Sequence, residues 1–126
     1  MIRALLRSVG VDLSNLEFIL GSSYQNTIEY SLDLRELSKK VSMRDAEKAC
    51  SEVVKSMGNQ RSMGDGLYPL MQCLDEEYLG VDAQFGGVDQ RKIFALAHDT
   101  APKMGWKPRA HLMNPIVPSL TAGGKM

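Results

Sequence analysis

The chain of 126 residues carries no net charge, because fifteen basic side chains balance fifteen acidic ones. A neutral chain exerts no long-range attraction on nucleic acid or anionic lipid, so bulk charge favours neither partner. The sequence also lacks an apolar run near the roughly 20 residues that a membrane-spanning helix needs, and we expect no membrane partner. Its 44% hydrophobic and 24% charged residues are ordinary values, and the length suits one globular domain.

Potential metal ligands are scarce. Cys50 and Cys73 are the only cysteines, and His98 and His111 are the only histidines. None of the four falls in a Cys-x-x-Cys or Cys/His spacing, so we predict inert thiols, histidines with packing roles and no protein-bound metal. Unpaired thiols within helical patterns are typical of a reducing compartment, and we expect a cytoplasmic protein.

Apolar spacing divides the first half of the chain into a helix, a strand and a long helical region. Residues 1–9 hold two arginines and no acid, as some mitochondrial presequences do, but their apolar positions favour a packed helix that Gly10 ends. Residues 16–20 form a compact apolar run that predicts a buried strand. Helical patterns then continue, with a second start at Ser42, until a polar loop at residues 59–66.

The second half alternates between helices and strands. A helix is predicted to start near Leu67, with Pro69 in its first turn, and residues 81–85 alternate as a strand does. Residues 88–104 read as another helix, and residues 110–113 as a last strand. Strands joined by helical crossovers indicate a parallel sheet covered by helices, and such sheets bind ligands beyond the carboxyl ends of their strands.

Four polar side chains lie where a ligand could bind in such a fold. Tyr68, Gln72 and Asp75 recur along one side of a predicted helix, and Gln90 opens the helix after a strand. Polar groups are costly to bury without partners, so several that converge suggest a small-molecule pocket. A solvated helix face explains the first three equally well when they are considered alone.

The turn before that last helix carries two glycines, Gly86 and Gly87. Their missing Cβ atoms would let a ligand backbone or a ribose approach closely. Asp89 falls in the first turn of the following helix, where unpaired N–H groups favour anions. A glycine pair alone is a weak indication of nucleotide binding, because any tight turn uses one.

Two runs of residues carry a resemblance to a known family. Residues 68–78 read Tyr-Pro-Leu-Met-Gln-Cys-Leu-Asp-Glu-Glu-Tyr, and residues 81–92 read Val-Asp-Ala-Gln-Phe-Gly-Gly-Val-Asp-Gln-Arg-Lys. Together with His-Leu-Met-Asn-Pro-Ile-Val-Pro at 111–118 and Gly-Lys-Met at 124–126, they closely resemble the tyrosyl-tRNA synthetases of eukaryotes and archaea. The resemblance extends over essentially the whole chain.

This resemblance implies a tyrosine site. Asp75 would accept a hydrogen bond from the phenol of the substrate tyrosine. Tyr68 and Gln72 would hold the α-amino group of that substrate, and Gln90 would contact its backbone. A charged acceptor facing a phenol contributes about 1.5–3 kcal/mol, so these roles agree with the chemistry of the side chains.

The resemblance also implies that ATP is used, with Mg²⁺ as its accompanying ion. Gly87 and Asp89 match the ribose-facing turn of the adenylate site. Lys125 matches the first lysine of a mobile loop that supports the phosphates of ATP. Activation needs no protein nucleophile, because the protein positions the substrate carboxylate and the α-phosphate and neutralises developing charge.

The implied fold is α/β, with the later half of a Rossmann-type parallel sheet and a helical connective insertion at about residues 24–66. Residues 1–126 are then expected to be a partial catalytic domain. In this family the insertion contributes to the homodimer interface and contacts the acceptor end of tRNA-Tyr. The family's His-x-Gly-His signature is absent, so we expect tyrosine–tRNA ligase activity of the family but none from this stretch alone. With its neighbouring strands missing, the strand at 16–20 would be exposed and the chain marginally stable.

Two other interpretations remain open. The chain could be a non-catalytic derivative that binds tyrosine or a partner protein through the retained helices. It could also be another nucleotide-binding domain of the Rossmann type, such as the related tryptophanyl enzyme. Asp75 disfavours the latter, since an indole presents its donor with a different shape and reach.

Overall fold

The computed structural model of the chain describes residues 1–53 and 62–116. Its elements, in chain order, are α1 (Ile2–Ser8), α2 (Ser22–Gln25), α3 (Ile28–Lys40), α4 (Met43–Cys50), α5 (Met63–Tyr78), β1 (Ala83–Gly87), a 3₁₀ turn (Val88–Gln90), α6 (Arg91–Met104) and β2 (Ala110–Asn114). The predicted end of the helical region just before residue 59 and the predicted site residue Lys125 lie outside the described residues.

Side-chain caps determine where the longer helices of the first half begin. Thr27 accepts a hydrogen bond from the backbone N–H of Tyr30, and Ser42 accepts one from that of Asp45. Each cap pairs one of the N–H donors that have no partner within the helix. The predicted helix start at Ser42 is thereby confirmed.

Helix α5 begins earlier than its sequence suggests. The Ser62 side chain accepts from the backbone N–H of Asp65, and the Asp65 side chain accepts in return from the backbone N–H of Ser62. This reciprocal capping box starts the helix at Met63. The prediction of a start near Leu67, with residues 62–66 in a loop, is therefore wrong, and Pro69 lies buried inside the helix rather than in its first turn.

The described residues contain one two-stranded parallel sheet. β1 and β2 pair from Ala83 opposite Ala110 to Gly87 opposite Asn114. Helix α6 connects the two strands, because parallel neighbours need a crossover rather than a hairpin. The resulting βαβ unit is the one that the alternation of helices and strands predicts for an α/β fold.

Residues 16–20 do not form the predicted strand. Their backbone has no regular secondary structure. The side chains of Phe18 and Leu20 are 48% and 75% exposed. A strand needs a neighbour that exchanges backbone hydrogen bonds with it, and the two strands of the described ranges pair with each other. An apolar run alone was an insufficient sign of a strand.

The hydrophobic core lies between α3, α4, α5 and α6. Leu37 of α3, Leu74 of α5 and Ile93 of α6 are completely buried there. Helix α4 contributes the small side chains Ala46 and Ala49, which allow its neighbours to approach closely. Burial of each large side chain is worth roughly 1.5–3 kcal/mol, so this core fixes α5 relative to α6.

Two polar pairs attach α5 to the region of β2. Glu76 Oε1 lies 2.9 Å from Nε2 of His111, and the two side chains are only 5% and 11% exposed. The ring of Phe94 stacks on that of His111 with centroids 4.6 Å apart. Just before β2, Arg109 donates from Nη2 to Oε2 of Glu77 at 2.6 Å. These contacts set the helix against the sheet.

Candidate functional site

The structure brings two of the predicted residues into direct contact. Gln72 on α5 donates from Nε2 to Oε1 of Gln90 at 3.2 Å. Gln90 ends the 3₁₀ turn that follows β1, so the contact joins the helix to the carboxyl end of a strand. Each amide can form more hydrogen bonds than this one, which gives the pair capacity to bind a small polar molecule.

Helix α5 presents the predicted polar side chains along one side. Tyr68 precedes Gln72 by one turn and Asp75 follows it by nearly one turn, so the three side chains lie along one side of the helix. Tyr68 is 41% exposed, whereas Gln72 and Asp75 are half-buried. The series therefore runs from solvent toward the interior.

Asp75 accepts hydrogen bonds from side chains that sequence reasoning missed. The hydroxyl of Tyr30 lies 2.8 Å from Oδ1 of Asp75, and Nε2 of Gln25 lies 3.0 and 3.1 Å from its two oxygens. These donors are 45 and 50 residues away along the chain. No local spacing could identify them, although a tyrosine among core positions of a helix indicates a hydroxyl that needs a partner.

Three tyrosine rings pack beside this carboxylate. The centroid of Tyr30 lies 5.8 Å from that of Tyr24 and 4.9 Å from that of Tyr78. The Tyr78 hydroxyl donates to Oδ2 of Asp33 at 2.8 Å. We call Tyr24, Tyr30 and Tyr78 the tyrosine cluster. The Tyr30–Asp75 and Tyr78–Asp33 pairs have the same length of 2.8 Å, and the Tyr24 hydroxyl also interacts with Asp75.

The cluster shifts the acidity of its phenols. Burial, and then the hydrogen bond to the Asp75 carboxylate, raise the pKa of Tyr30 far above its ordinary value. Burial, and then the hydrogen bond to Asp33, raise the pKa of Tyr78 to about 12. Both phenols therefore keep their protons and remain donors through the physiological pH range.

Gly86 and Gly87 each leave room for a side chain of the protein itself. A Cβ at Gly86 would lie 2.9 Å from Cζ of Phe94 and 3.2 Å from Cγ of Gln90, so this glycine makes room for helix α6 of the chain itself. A Cβ at Gly87 would lie 2.5 Å from Oδ1 of Asp89. The space at Gly86 is filled by protein, which differs from the predicted close approach of a ligand at that position.

A cleft between α4 and α6 is richer in positive charge than the neutral composition suggests. It has a volume of about 200 Å³ and is bordered by four lysines and two aspartates: Lys40, Lys48, Lys92, Lys103, Asp45 and Asp99. Lys92 is held there by Ser51 and Glu52. The six charged side chains that border the cleft have an excess of two positive charges, and Glu52 pairs with one of them, Lys92.

Metal ligands do not cluster in the parts of the chain that the structure describes: no group of three or more His, Cys, Asp or Glu side chains could hold an ion. Among the same residues, no helix is both long and apolar enough to cross a membrane.

Comparison with known proteins identifies the class. The family model of class I tRNA synthetases for tryptophan and tyrosine matches residues 1–126. The chain therefore belongs to this family. Within it, the relatives are tyrosine-specific by name: the chain is 55% identical over 125 residues to the cytoplasmic tyrosine–tRNA ligase of Saccharomyces cerevisiae. That match covers 99% of this chain and 32% of the yeast protein. The predicted resemblance is confirmed.

The cytoplasmic tyrosine–tRNA ligase of Danio rerio is also 55% identical, over 126 residues that make up 100% of this chain and 23% of that protein. The chain thus spans about a third or less of the length of these relatives. The names of both relatives describe them as cytoplasmic.

Solved structures agree on the fold. The tyrosyl-tRNA synthetase of Archaeoglobus fulgidus, complexed with L-tyrosine, superposes with a TM-score of 0.85 at 35% identity, over 99% of this chain and 39% of that one. The Aeropyrum pernix enzyme gives 0.84 at 28% identity, over 99% and 37%. The predicted α/β fold, a part of a Rossmann-type catalytic domain, is confirmed. The roles of the individual site residues stay predictions.

Proposed function

We propose that this chain forms the amino-acid side of a tyrosine–tRNA ligase active site in the cytoplasm. The observation that carries the proposal is the line of polar groups on α5, which runs from Tyr68 through the Gln72–Gln90 contact to the half-buried carboxylate of Asp75. A carboxylate at the interior end of such a line suits a substrate whose far end is a hydroxyl.

Each group has a chemical role in this proposal. Asp75 accepts the hydrogen bond of the substrate phenol, a contact worth about 1.5–3 kcal/mol because the acceptor is charged. Tyr68 and Gln72 bind the α-amino group at the more open end. Gln90, held by Gln72, contacts the backbone of the tyrosine and orients its carboxylate.

The ATP side involves fewer of the described residues. Gly87 and Asp89 lie at the end of β1 and in the 3₁₀ turn, where the ribose of ATP would bind. Lys125 would support its phosphates. The tyrosine carboxylate attacks the α-phosphate, tyrosyl-adenylate forms and pyrophosphate leaves, so positioning and charge neutralisation suffice. Any Mg²⁺ would arrive with ATP.

Transfer of tyrosine to tRNA-Tyr belongs to the same proposal. The cleft bordered by four lysines lies between α4 and α6, and α4 falls within the helical insertion predicted at about residues 24–66. Lysines neutralise phosphates and release counterions, so the transfer of tyrosine to tRNA should weaken as the salt concentration increases.

The insertion is also our proposed homodimer interface. The exposed apolar side chains of Met43, Met63 and Leu67, on the insertion and on the adjoining part of α5, agree with this proposal.

A chimera tests this function. The matching 125 residues of the yeast ligase are replaced by this chain, and tyrosine-dependent ATP–pyrophosphate exchange is measured. We expect exchange in the chimera and a roughly 10–100-fold lower kcat/KM for tyrosine in its Asp75→Asn variant, which loses a charged acceptor. Asp33→Asn is the matched control, because Asp33 also accepts from a phenol of the tyrosine cluster.

Two outcomes would contradict the proposal. An inactive chimera beside an active yeast parent would reject a catalytic role for this chain. Equal losses in the Asp75 and Asp33 variants would reject the specific role of Asp75. Calorimetric binding of tyrosine by a chimera that shows no exchange would instead support the non-catalytic tyrosine-binding derivative.

A further inference from the structure

The carboxylate assigned to the substrate phenol already binds a phenol of the chain itself. Tyr30 is 1% exposed, and its hydroxyl lies 2.8 Å from Oδ1 of Asp75 and 3.2 Å from the carbonyl oxygen of Met71. A hydroxyl has one proton to donate. The shorter contact and the charge of the acceptor direct that proton to Asp75.

We propose that Tyr30 is a positioning residue, whose hydroxyl holds Asp75 in the orientation that distinguishes tyrosine from phenylalanine. This inference rests on the proposed tyrosine-binding function and deepens it. Tyr30 does not touch the substrate. It acts through the Asp75 carboxylate, which it approaches from α3 while the predicted substrate groups line α5.

The position of Tyr30 is itself well determined. Its backbone N–H donates to the Thr27 side chain at 3.2 Å, which caps the first turn of α3. Its ring packs against those of Tyr24 and Tyr78, whose centroids lie 5.8 and 4.9 Å away. A donor held at both backbone and ring can restrict the rotation of the carboxylate that it binds.

Asp75 can still accept a substrate. Gln25 contacts both carboxylate oxygens from a single nitrogen, at 3.0 and 3.1 Å. It can give up one of these contacts and keep a hydrogen bond through the other. Of the two carboxylate oxygens, the Tyr30 hydroxyl contacts Oδ1 alone. An entering phenol would therefore replace one Gln25 contact, while Tyr30 keeps the carboxylate aimed.

The raised pKa of Tyr30 agrees with a permanent donor. A phenol that stays protonated throughout the working pH range never turns into a second anion beside Asp75. Without this donor, the carboxylate would lose the 2.8 Å hydrogen bond that orients it, and a small misplacement at a recognition site weakens discrimination sharply.

The experiment compares two matched hydroxyl deletions in the chimera. Tyr30→Phe removes the donor to Asp75, and Tyr78→Phe removes the donor to Asp33 at the same 2.8 Å and in the same cluster. The readout is the ratio of kcat/KM for tyrosine to that for phenylalanine. We expect Tyr30→Phe to lower the ratio roughly tenfold, mainly through KM for tyrosine, as loss of one hydrogen bond to a charged group should. The Tyr78→Phe ratio should stay within about twofold of the unsubstituted value, because the Tyr78 hydroxyl donates to Asp33 and not to Asp75.

A double-mutant cycle separates positioning from packing. If Tyr30 acts through Asp75, then Tyr30→Phe should change the ratio no further in an Asp75→Asn background. Additive losses, or an equal fall in the Tyr30→Phe and Tyr78→Phe variants, would overturn the inference and leave the proposed function standing. An unsubstituted chimera without tyrosine-dependent exchange would overturn the proposed function, and the inference with it.

Discussion

Similar side chains have opposite environments in two regions of this chain. Between α3 and α6, Leu37, Leu74 and Ile93 are completely buried. Among the first twenty residues, Phe18 and Leu20 are about half and three-quarters exposed. Hydrophobicity is the same in both regions. The difference is whether a second packed element lies opposite, which is the condition for forming a layer of core.

The same contrast applies to polar groups. Glu76 is buried because His111 and the sheet lie against it, whereas Glu52 meets Arg91 and Lys92 near the surface. Partners far along the chain therefore decide both apolar and polar burial. Four pairs of measurements test whether such partners decide stability.

The largest effect should come from the core leucine. Leu74→Ala removes a completely buried side chain and should lower the free energy of unfolding by about 2–5 kcal/mol. Leu20→Ala removes the same atoms from a site that is 75% exposed and should change it by no more than about 0.5 kcal/mol. Urea denaturation of both variants measures the difference, and similar losses would show that residues 16–20 are packed in solution.

A smaller effect should follow removal of the buried acid. Glu76→Ala leaves His111 without its 2.9 Å partner in a buried site and should cost about 1–3 kcal/mol. Glu52→Ala, which removes the acceptor of a more exposed pair, should cost less. The midpoints of urea denaturation show which variant loses more stability, and a larger loss for Glu52→Ala would contradict the prediction.

Next in size is the glycine that faces α6. Gly86→Ala places a Cβ 2.9 Å from the Phe94 ring and should destabilise by about 1 kcal/mol, because the ring edge must shift. Gly64→Ala meets nothing closer than 3.5 Å on an exposed turn of α5 and should stabilise by about 0.4–1 kcal/mol. Thermal melts of the two variants should move in opposite directions.

The smallest effect is a dependence on pH. The folded state raises the pKa of Tyr78 to about 12, above the ordinary value of about 10 for a phenol in an unfolded chain. The folded state thus binds this proton more tightly, and its contribution is complete below about pH 10 and is lost as the pH rises toward about 12. Across that window, stability should fall less steeply in Tyr78→Phe than in the unsubstituted chain. Urea denaturation at several pH values measures this, and midpoints that fall by the same amount in both proteins would refute the prediction.

Local patterns predicted two features correctly. The spacing of Tyr68, Gln72 and Asp75 placed them on one side of a helix, and the alternation of elements predicted an α/β fold with a parallel sheet. Both depend on the period of a helix or strand, which is visible within about ten residues. The motifs at residues 68–78 and 81–92 also predicted the family correctly.

Long-range pairing was beyond the reach of such patterns. The donors to Asp75 come from 45 and 50 residues away, and Glu76 finds His111 at a separation of 35. In the sequence, Glu76 beside Glu77 reads as a solvated charge pair, although it is buried. Residues 16–20 read as a strand because their composition is apolar, and composition does not reveal whether a neighbouring strand is available.

Two consecutive acids on α5 are attached to different parts of the molecule. Asp75 is bound by Gln25 and Tyr30, and Glu76 by His111 of β2. Successive residues diverge by about 100° around a helix axis, so a rotation of α5 in either sense lengthens one of these attachments. The rotation of α5 about its own axis is therefore fixed before any ligand binds. Gln72 lies on the same helix, so the direction in which it leaves the helix is fixed as well.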